Sequence, residues 1–262
     1  MKQRIYQVDA FTDRIFSGNP AAVCILETWL DDGLMQQIAA ENNLAETAFV
    51  VKENDRYSIR WFTPEIEVDL CGHATLASAY VLFSFFVPEA QTLSFFSSRS
   101  GSLIVDKGEE GELIMDFPTD ELLEVNHIPA LNEALGIVPN QLLKGKTDYL
   151  LICNNQREIE EIKPNYFLLN QIEARGVIVS AKGNEVDFVS RFFAPQSGIN
   201  EDPVTGSAHT TLTPYWSKVL GKEKLTAKQL SARGGDLSCE YQGDRVKIGG
   251  KAALYLVGEI EI

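Results

Sequence analysis

The stretch Arg60-Trp61-Phe62-Thr63-Pro64 returns later in the chain as Arg191-Phe192-Phe193-Ala194-Pro195. The second copy begins 131 residues after the first, and 131 is half of the 262 residues in the sequence. Each copy is typical of the end of a β-strand, because aromatic side chains favour strands and proline is confined to their ends and edges. A repeat at half the chain length predicts two related halves.

Other matches occur in the same order around this repeat. Gly72 and Gly206 differ by 134 positions, Cys24 and Cys153 by 129, and Ala45-Glu46 and Ala174-Arg175 also by 129. One such match could arise by chance, but several at nearly the same offset indicate a duplication. We therefore expect each half to be a run of strands around one helix.

Short runs of β-branched and aromatic residues predict strands throughout the chain. The predicted strands are Ile5–Phe11, Ala21–Leu26, Thr47–Val51, Tyr57–Phe62, Leu103–Asp106, Glu112–Phe117, Tyr149–Cys153, Gly176–Ser180, Val186–Phe193, Arg245–Ile248 and Ala253–Ile262. Two helices are predicted, at Asp31–Asn43 and at Cys71–Val87. The second helix is apolar on nearly every face and should therefore be buried.

The segment Asp116–Asn140 is acidic and contains three prolines, which is typical of a link between domains. We therefore predict a first domain of residues 1–118 and a second of residues 119–262. The last strand of the chain could return to the first domain.

The composition weighs against several classes of function. The chain has 23 basic and 37 acidic residues and a formal charge of −14, which disfavours nucleic acid and anionic membranes as partners. The longest apolar stretch, Leu76–Val87, is too short for a membrane span, which needs roughly 20 residues. The beginning of the chain has no leader-like pattern, and the four cysteines form no close pair. We expect a cytoplasmic protein with reduced thiols.

The start of the apolar helix and its counterpart in the second half are candidate binding elements. The two sequences are Gly72-His73-Ala74 and Gly206-Ser207-Ala208. Glycine lets a ligand approach the backbone closely, and the free N–H groups of a first helical turn bind anions. Because clefts between domains commonly bind small ligands, two such helix starts predict a site for a small carboxylate.

Glu46 is a candidate acid or base, because it stands between a predicted helix and an apolar strand. A buried carboxyl group in a cleft could both accept and donate a proton. A surface glutamate at the edge of a strand fits the local sequence equally well.

The three histidines, His73, His127 and His209, show no metal-ligand spacing, so no metal site is expected. Asp202, Ser207 and His209 contain the residue types of a hydrolytic triad. Ser207 and His209 are only two positions apart near a helix start, however, and no G-x-S-x-G motif surrounds the serine. Serine nucleophilic catalysis is therefore not favoured.

Five motifs follow one another along essentially the whole chain. They are Val8-Asp9-Ala10-Phe11-Thr12 with Phe16–Val23, then Asn43–Phe49, Arg60–Pro64, Glu67–Thr75 and Glu201–His209. In these motifs the sequence resembles the PhzF-like family of phenazine biosynthesis, which shares the diaminopimelate-epimerase-like fold. The resemblance implies an α+β fold of two similar halves, each an open β-barrel wrapped around a central α-helix, with the active site between the halves.

The same resemblance implies a function for several residues. Glu46 would be the general acid/base, working without cofactor or metal, as in the family's trans-2,3-dihydro-3-hydroxyanthranilate isomerase. The residues implied in binding a small carboxylate substrate are His73, Asp202 and Ser207 through their side chains, Gly72 and Gly206 through their backbone, and Asn19 as a residue lining the cleft. A homodimer is also expected from the family.

Two other functions remain open. Related epimerases use two opposed cysteines at the helix starts, and the matching positions here are Cys71 and Thr205. A threonine hydroxyl lacks the acidity of a thiol, so the remaining epimerase or racemase mechanism would pair Cys71 with Glu46. A metabolite-binding protein without catalysis is the other alternative. Glu46, His73 and Asp202 argue against it, because binding alone requires no acid or base.

Overall fold

The computed structural model describes residues 2–262, which form six α-helices and seventeen β-strands. The helices are α1 (Asp32–Asn42), α2 (Gly72–Phe85), α3 (Pro129–Leu135), α4 (Gln156–Glu161), α5 (Tyr166–Leu169) and α6 (Gly206–Leu220). The strands up to the middle of the chain are β1 (Lys2–Ala10), β2 (Asn19–Leu26), β3 (Glu46–Glu53), β4 (Arg56–Phe62), β5 (Glu67–Val68), β6 (Thr92–Ser97), β7 (Gly101–Lys107) and β8 (Leu113–Pro118). The remaining strands are β9 (Leu123–Glu124), β10 (Gln141–Lys144), β11 (Asp148–Ile152), β12 (Gly176–Lys182), β13 (Phe188–Phe193), β14 (Lys224–Gln229), β15 (Gly235–Tyr241), β16 (Arg245–Gly250) and β17 (Ala252–Glu261).

The chain divides into two compact units. The first unit contains the chain up to Asp116 together with Gly249–Ile262, and the second contains Phe117–Ile248. The last strand, β17, therefore belongs to the first unit, where it pairs antiparallel with β1.

The strands of the first unit alternate between parallel and antiparallel pairing. β2 pairs parallel with β3 across α1, and β3 pairs antiparallel with β4. β4 then pairs parallel with β6 across α2, and β6 pairs antiparallel with β7. Parallel neighbours require a crossover, and the two helices provide it.

The second unit repeats this order of pairings. β11 pairs parallel with β12, and β12 pairs antiparallel with β13. β13 pairs parallel with β14 across α6, and β14 pairs antiparallel with β15. Helix α6 in the second unit therefore occupies the same place in the strand order as α2 in the first.

Helix α2 is the buried centre of the first unit, and it packs against β1, β2 and β3. Ten of its fourteen residues are buried. Its two buried hydroxyl groups are satisfied within the helix, since Thr75 Oγ1 donates to the Cys71 carbonyl at 2.6 Å and Ser78 Oγ to the Ala74 carbonyl at 2.7 Å. Small alanines and self-bonded hydroxyls allow a helix to be buried on nearly every face without unpaired polar groups.

Helix α6 contains Pro214, which removes one backbone donor from the helix. The carbonyl left without its usual helical partner is that of Thr210. The backbone N–H of Asp120 donates to this carbonyl at 3.3 Å, and the Asp120 carboxylate accepts from Thr211 Oγ1 at 2.8 Å. The segment before β9 therefore supplies the hydrogen bond that the proline removes.

Each strand and helix predicted from the sequence coincides with an element of the structure. Asp31 is the N-cap of α1, and its side chain accepts from the Gly33 N–H at 2.9 Å. The prediction missed the strands β5, β6, β9, β10, β14 and β15 and the helices α3, α4 and α5. Among the helices of the described residues, none combines the length and the apolar character that crossing a membrane would require.

Candidate active site

An arginine–glutamate pair fixes the loop before the central helix of each unit. Arg60 on β4 donates to both carboxylate oxygens of Glu67, at 2.7 and 2.8 Å. Arg191 on β13 does the same to Glu201, at 2.7 and 3.0 Å. Each glutamate stands five residues before its helix begins. Because two-point arginine–carboxylate contacts are strong and directional, these pairs hold the helix starts in place.

Glu46 is the first residue of β3 and is only 9% exposed. The preceding helix α1 ends at Asn42 and is capped by Asn43, whose backbone is left-handed with φ 49° and ψ 36°. Asparagine tolerates this conformation better than most residues, so the chain can turn directly into the strand. Asn42 Nδ2 donates to Thr47 Oγ1 at 3.0 Å and fixes the beginning of β3. The carboxyl group of Glu46 is thereby placed in the interior of the first unit.

The side chain of His73, the second residue of α2, lies beside that carboxyl group. His73 Nε2 is 3.1 Å from Glu46 Oε2, and Asn19 Nδ2 is 3.1 Å from His73 Nδ1. Glu46 Oε2 is buried and has no well-aligned hydrogen-bond donor among residues 2–262, although the imidazole lies within ion-pair distance. A buried carboxylate oxygen without a donor is unusual and typical of functional sites.

Cys71, the N-cap of α2, completes this cluster. Its Sγ lies 3.5 Å from His73 Nδ1 and 3.9 Å from His73 Nε2. Burial and the nearby Glu46 charge raise the pKa of the thiol to about 11, and His73 only partly opposes them. Cys71 is therefore a neutral thiol near pH 7.

Three neighbouring effects set the charge of His73. Burial lowers its pKa, but the negative charges that Cys71 and Glu46 can carry outweigh burial and raise the pKa well above its usual value. A raised pKa favours the imidazolium form of His73 beside the carboxyl group of Glu46.

In the second unit, Asp202 lies in the loop that leads into α6. Its Oδ2 accepts from Thr205 Oγ1 at 2.5 Å. The fully buried Gln229 on β14 supports this loop, since its amide donates to the Asp202 carbonyl at 2.7 Å and accepts from the Thr205 N–H at 2.9 Å. Gln229 thus holds the Asp202 backbone and the beginning of α6 together.

Ser207, the second residue of α6, contacts an arginine that the sequence did not single out as functional. Arg175 stands immediately before β12, and its Nη1 donates to Ser207 Oγ at 2.9 Å. The other edge of the guanidinium binds both carboxylate oxygens of Asp148, which is 2% exposed. The beginning of α6 therefore carries a fixed cation next to a hydroxyl group.

His209 takes no part in a triad with Ser207. The ring is fully buried against Phe188, and its Nδ1–H donates to the Thr205 carbonyl at 2.8 Å. Burial lowers the pKa of His209 to about 4, so the imidazole is neutral over the physiological range. The other candidate histidine, His127, is exposed before α3.

The comparisons with known proteins identify the family. The sequence profile described as phenazine biosynthesis-like protein, PhzC-PhzF, matches residues 8–258. The chain belongs to this family. A relative from Pseudomonas aeruginosa, named an uncharacterized isomerase, is 51% identical over 100% of both chains. A crystal structure of a PhzF-family phenazine biosynthesis protein from Enterococcus faecalis is 47% identical, covers 100% of both chains and superimposes with a TM-score of 0.97.

The fold of this PhzF-family chain extends to more distant proteins. A predicted epimerase from Pseudomonas aeruginosa is 20% identical, covers 98% of this chain and 99% of its own, and has a TM-score of 0.76. At that identity the similarity concerns the fold alone. The expected α+β fold of the epimerase-like class is therefore confirmed, and its family relatives identify the chain as an isomerase.

The predicted site residues of this isomerase lie in two groups. The first unit brings together Asn19, Glu46 and His73 at the start of α2, with Gly72 as the first residue of that helix. The second unit places Asp202, Gly206 and Ser207 at the start of α6. Arg175 is a candidate site residue that sequence reasoning missed. It was visible only as a member of the Ala45-Glu46 and Ala174-Arg175 match.

The first group also contains donor atoms that could hold a metal. One such atom from each of Glu46, Cys71 and His73 lies within 4.8 Å of the others. Carboxylate, thiolate and imidazole are all zinc ligands. The spacing along the chain did not reveal this group, because Glu46 is 25 positions from Cys71 and on a different element.

Proposed function

We propose that this isomerase moves a proton between carbons of a small unsaturated carboxylate, with Glu46 as the single acid/base and without a metal or cofactor. The observation that carries the proposal is the buried Glu46 Oε2, which has no well-aligned hydrogen-bond donor among residues 2–262, while His73, whose pKa is raised well above its usual value, lies 3.1 Å away. An oxygen with free lone pairs can take a proton from carbon, and the imidazolium balances its charge before the transfer.

The remaining polar residues suit the binding of such a substrate. In the first unit, Asn19 and His73 present polar side chains beside Glu46. In the second, Asp202 can accept from an amino or hydroxyl group, while Ser207 can donate to a carboxylate. Cys71 and Thr205 are the N-caps of the two helices, and neither caps its helix through a side chain. The backbone N–H groups at the helix starts, beginning with Gly72 and Gly206, therefore suit the substrate's carboxylate.

The epimerase alternative would need Cys71 as a thiolate. Its pKa of about 11 leaves roughly one thiol in 10⁴ ionised at pH 7. Glu46 needs no such activation to act as a base. The structure therefore supports Glu46 over Cys71 as the group that removes the proton.

We expect the purified protein to incorporate deuterium from D₂O into trans-2,3-dihydro-3-hydroxyanthranilate or another conjugated cyclic carboxylate, monitored by NMR. Cys71→Ser should retain most of this activity, because the thiol is not the base. The control substrates are α-amino acids without a conjugated double bond, and their carbon-bound hydrogens should not exchange with deuterium. The epimerase would be favoured if exchange occurred only at amino-acid α-carbons and was lost in Cys71→Ser. A metabolite-binding protein would be favoured if carboxylates bound but none of them exchanged.

Removal of metal ions should leave the exchange rate unchanged. Proton transfer to a carboxylate requires no Lewis acid, although Glu46, Cys71 and His73 contain suitable donor atoms. The measurement compares the enzyme before and after dialysis against EDTA, with and without added ZnCl₂. A rate that falls on dialysis and returns with Zn²⁺ would contradict the metal-free mechanism.

A further inference from the structure

The contact between Arg175 and Ser207 in the second unit occupies a position comparable to that of the contact between Glu46 and His73 in the first unit. His73 and Ser207 are each the second residue of a central helix, α2 and α6. Each contacts a charged side chain at the beginning of a strand, at 3.1 Å for Glu46 on β3 and at 2.9 Å for Arg175 immediately before β12. The two arrangements therefore carry opposite charges at comparable positions, an anion in the first unit and a cation in the second.

Asp148 fixes the orientation of Arg175. Its carboxylate, 2% exposed, accepts from Nε at 2.9 Å and also from Nη2. A guanidinium held at two points keeps its plane, and the remaining nitrogen, Nη1, then points in one direction. That nitrogen donates to Ser207 Oγ.

The arginine determines what the Ser207 hydroxyl can do. A hydroxyl has one proton and two lone pairs, whereas a guanidinium has only donors. Since Nη1 occupies a lone pair of Oγ, the hydroxyl proton must point elsewhere. Within residues 2–262 the hydroxyl of Ser207 accepts this bond and donates none. It is therefore available to donate to a ligand, and the adjacent cation makes that donor stronger towards an anion.

We propose that Arg175 is a positioning residue that sets Ser207 as the hydrogen-bond donor to the substrate's carboxylate and thereby selects an anionic over a neutral ligand. The proposal rests on the proposed function for the assignment of Ser207 to the carboxylate. Arg175 acts through Ser207, and Asp148 holds Arg175 in place. Loss of the arginine should consequently weaken carboxylate binding more than it weakens binding of an uncharged ligand of the same shape.

The test uses anthranilate and its neutral counterpart, anthranilamide, as probes, titrated into the full chain by NMR. The wild type should bind anthranilate more tightly than anthranilamide. Ser207→Ala should weaken anthranilate binding by about tenfold or more, the usual effect of losing a hydrogen bond to a charged group. Arg175→Gln should weaken anthranilate binding comparably and leave anthranilamide nearly unchanged. The double variant should be no worse than Ser207→Ala.

Arg175→Lys is the control for folding, because lysine keeps a positive charge near Asp148 but lacks the planar fork that reaches Ser207. It should fold and lose the preference for anthranilate, even if Arg175→Gln fails to fold. The proposal is overturned if the wild type shows no carboxylate preference, if Arg175→Lys retains that preference, or if the arginine and serine effects add in the double variant. This test measures binding and no turnover. Its failure is therefore distinguishable from failure of the proposed function, in which the protein would bind carboxylates without exchanging a proton.

Discussion

Glu46→Gln should reduce turnover by about 10²–10⁴-fold, the usual contribution of a general acid/base. Glutamine has nearly the same shape as glutamate, so it can fill the buried place at the start of β3 where the residue is 9% exposed. It cannot take up a proton from carbon. The rate of deuterium incorporation measures the loss, and anthranilate binding by the same variant shows whether the ligand site is kept.

The matched control is Glu41→Gln, because Glu41 lies on the exposed face of α1 and undergoes the same chemical change. Its activity should equal that of the wild type. An active Glu46→Gln variant would refute the assignment of the base. If Glu46→Gln loses both activity and folding, Glu46→Asp provides the test. It keeps the carboxyl group and should retain more activity than Glu46→Gln.

The free energy of unfolding should fall as the pH is lowered from 6.5 to about 4 because of His209. Its pKa is about 4 in the folded chain, where burial opposes the charged form, against a usual value of 6.5. The unfolded chain therefore takes up the proton first as the pH falls. The stabilisation is complete above pH 6.5 and is lost progressively down to about pH 4. At 1.36 kcal/mol for each pKa unit, the contribution is about 3 kcal/mol.

Urea denaturation at a series of pH values measures this effect, as the difference between the wild type and His209→Asn. Asparagine can still donate towards the Thr205 carbonyl but does not titrate in this range. The variant should lack the His209 part of the pH dependence while keeping that of the carboxylates. His127→Asn, at an exposed position, should follow the wild-type curve. Parallel curves for the wild type and His209→Asn between pH 6.5 and 4 would contradict the account.

Strands with runs of β-branched and aromatic residues were predicted from the sequence, whereas β14 and β15, which lack such runs, were missed. Strands β14 and β15 contain Lys224, Lys228 and Asp236, and buried residues alternate with exposed ones along them. Such strands have little apolar signal on their outer face. The buried helix α2 was easier to predict because it is apolar in every direction.

The candidate site was only partly accessible to sequence reasoning. Glu46 came from the family resemblance, since the local pattern fitted a surface strand edge equally well. Arg175 could not be assigned, because its partners Asp148 and Ser207 are 27 and 32 positions away. Likewise, nothing near Glu67 or Glu201 indicated that each would bind the arginine of the repeated motif, because ion pairs depend on strand register and loop path.

The most direct test of the central claim follows a hydrogen label in ordinary water. The substrate found in the exchange assay would carry deuterium on the carbon that loses its proton, and mass spectrometry would locate the label in the product after one turnover. The Glu46 side chain is only 11% exposed, so the carboxyl group should deliver part of the deuterium to the receiving carbon before water replaces it. Complete loss of the label to water in the first turnover would contradict transfer by one buried carboxyl group.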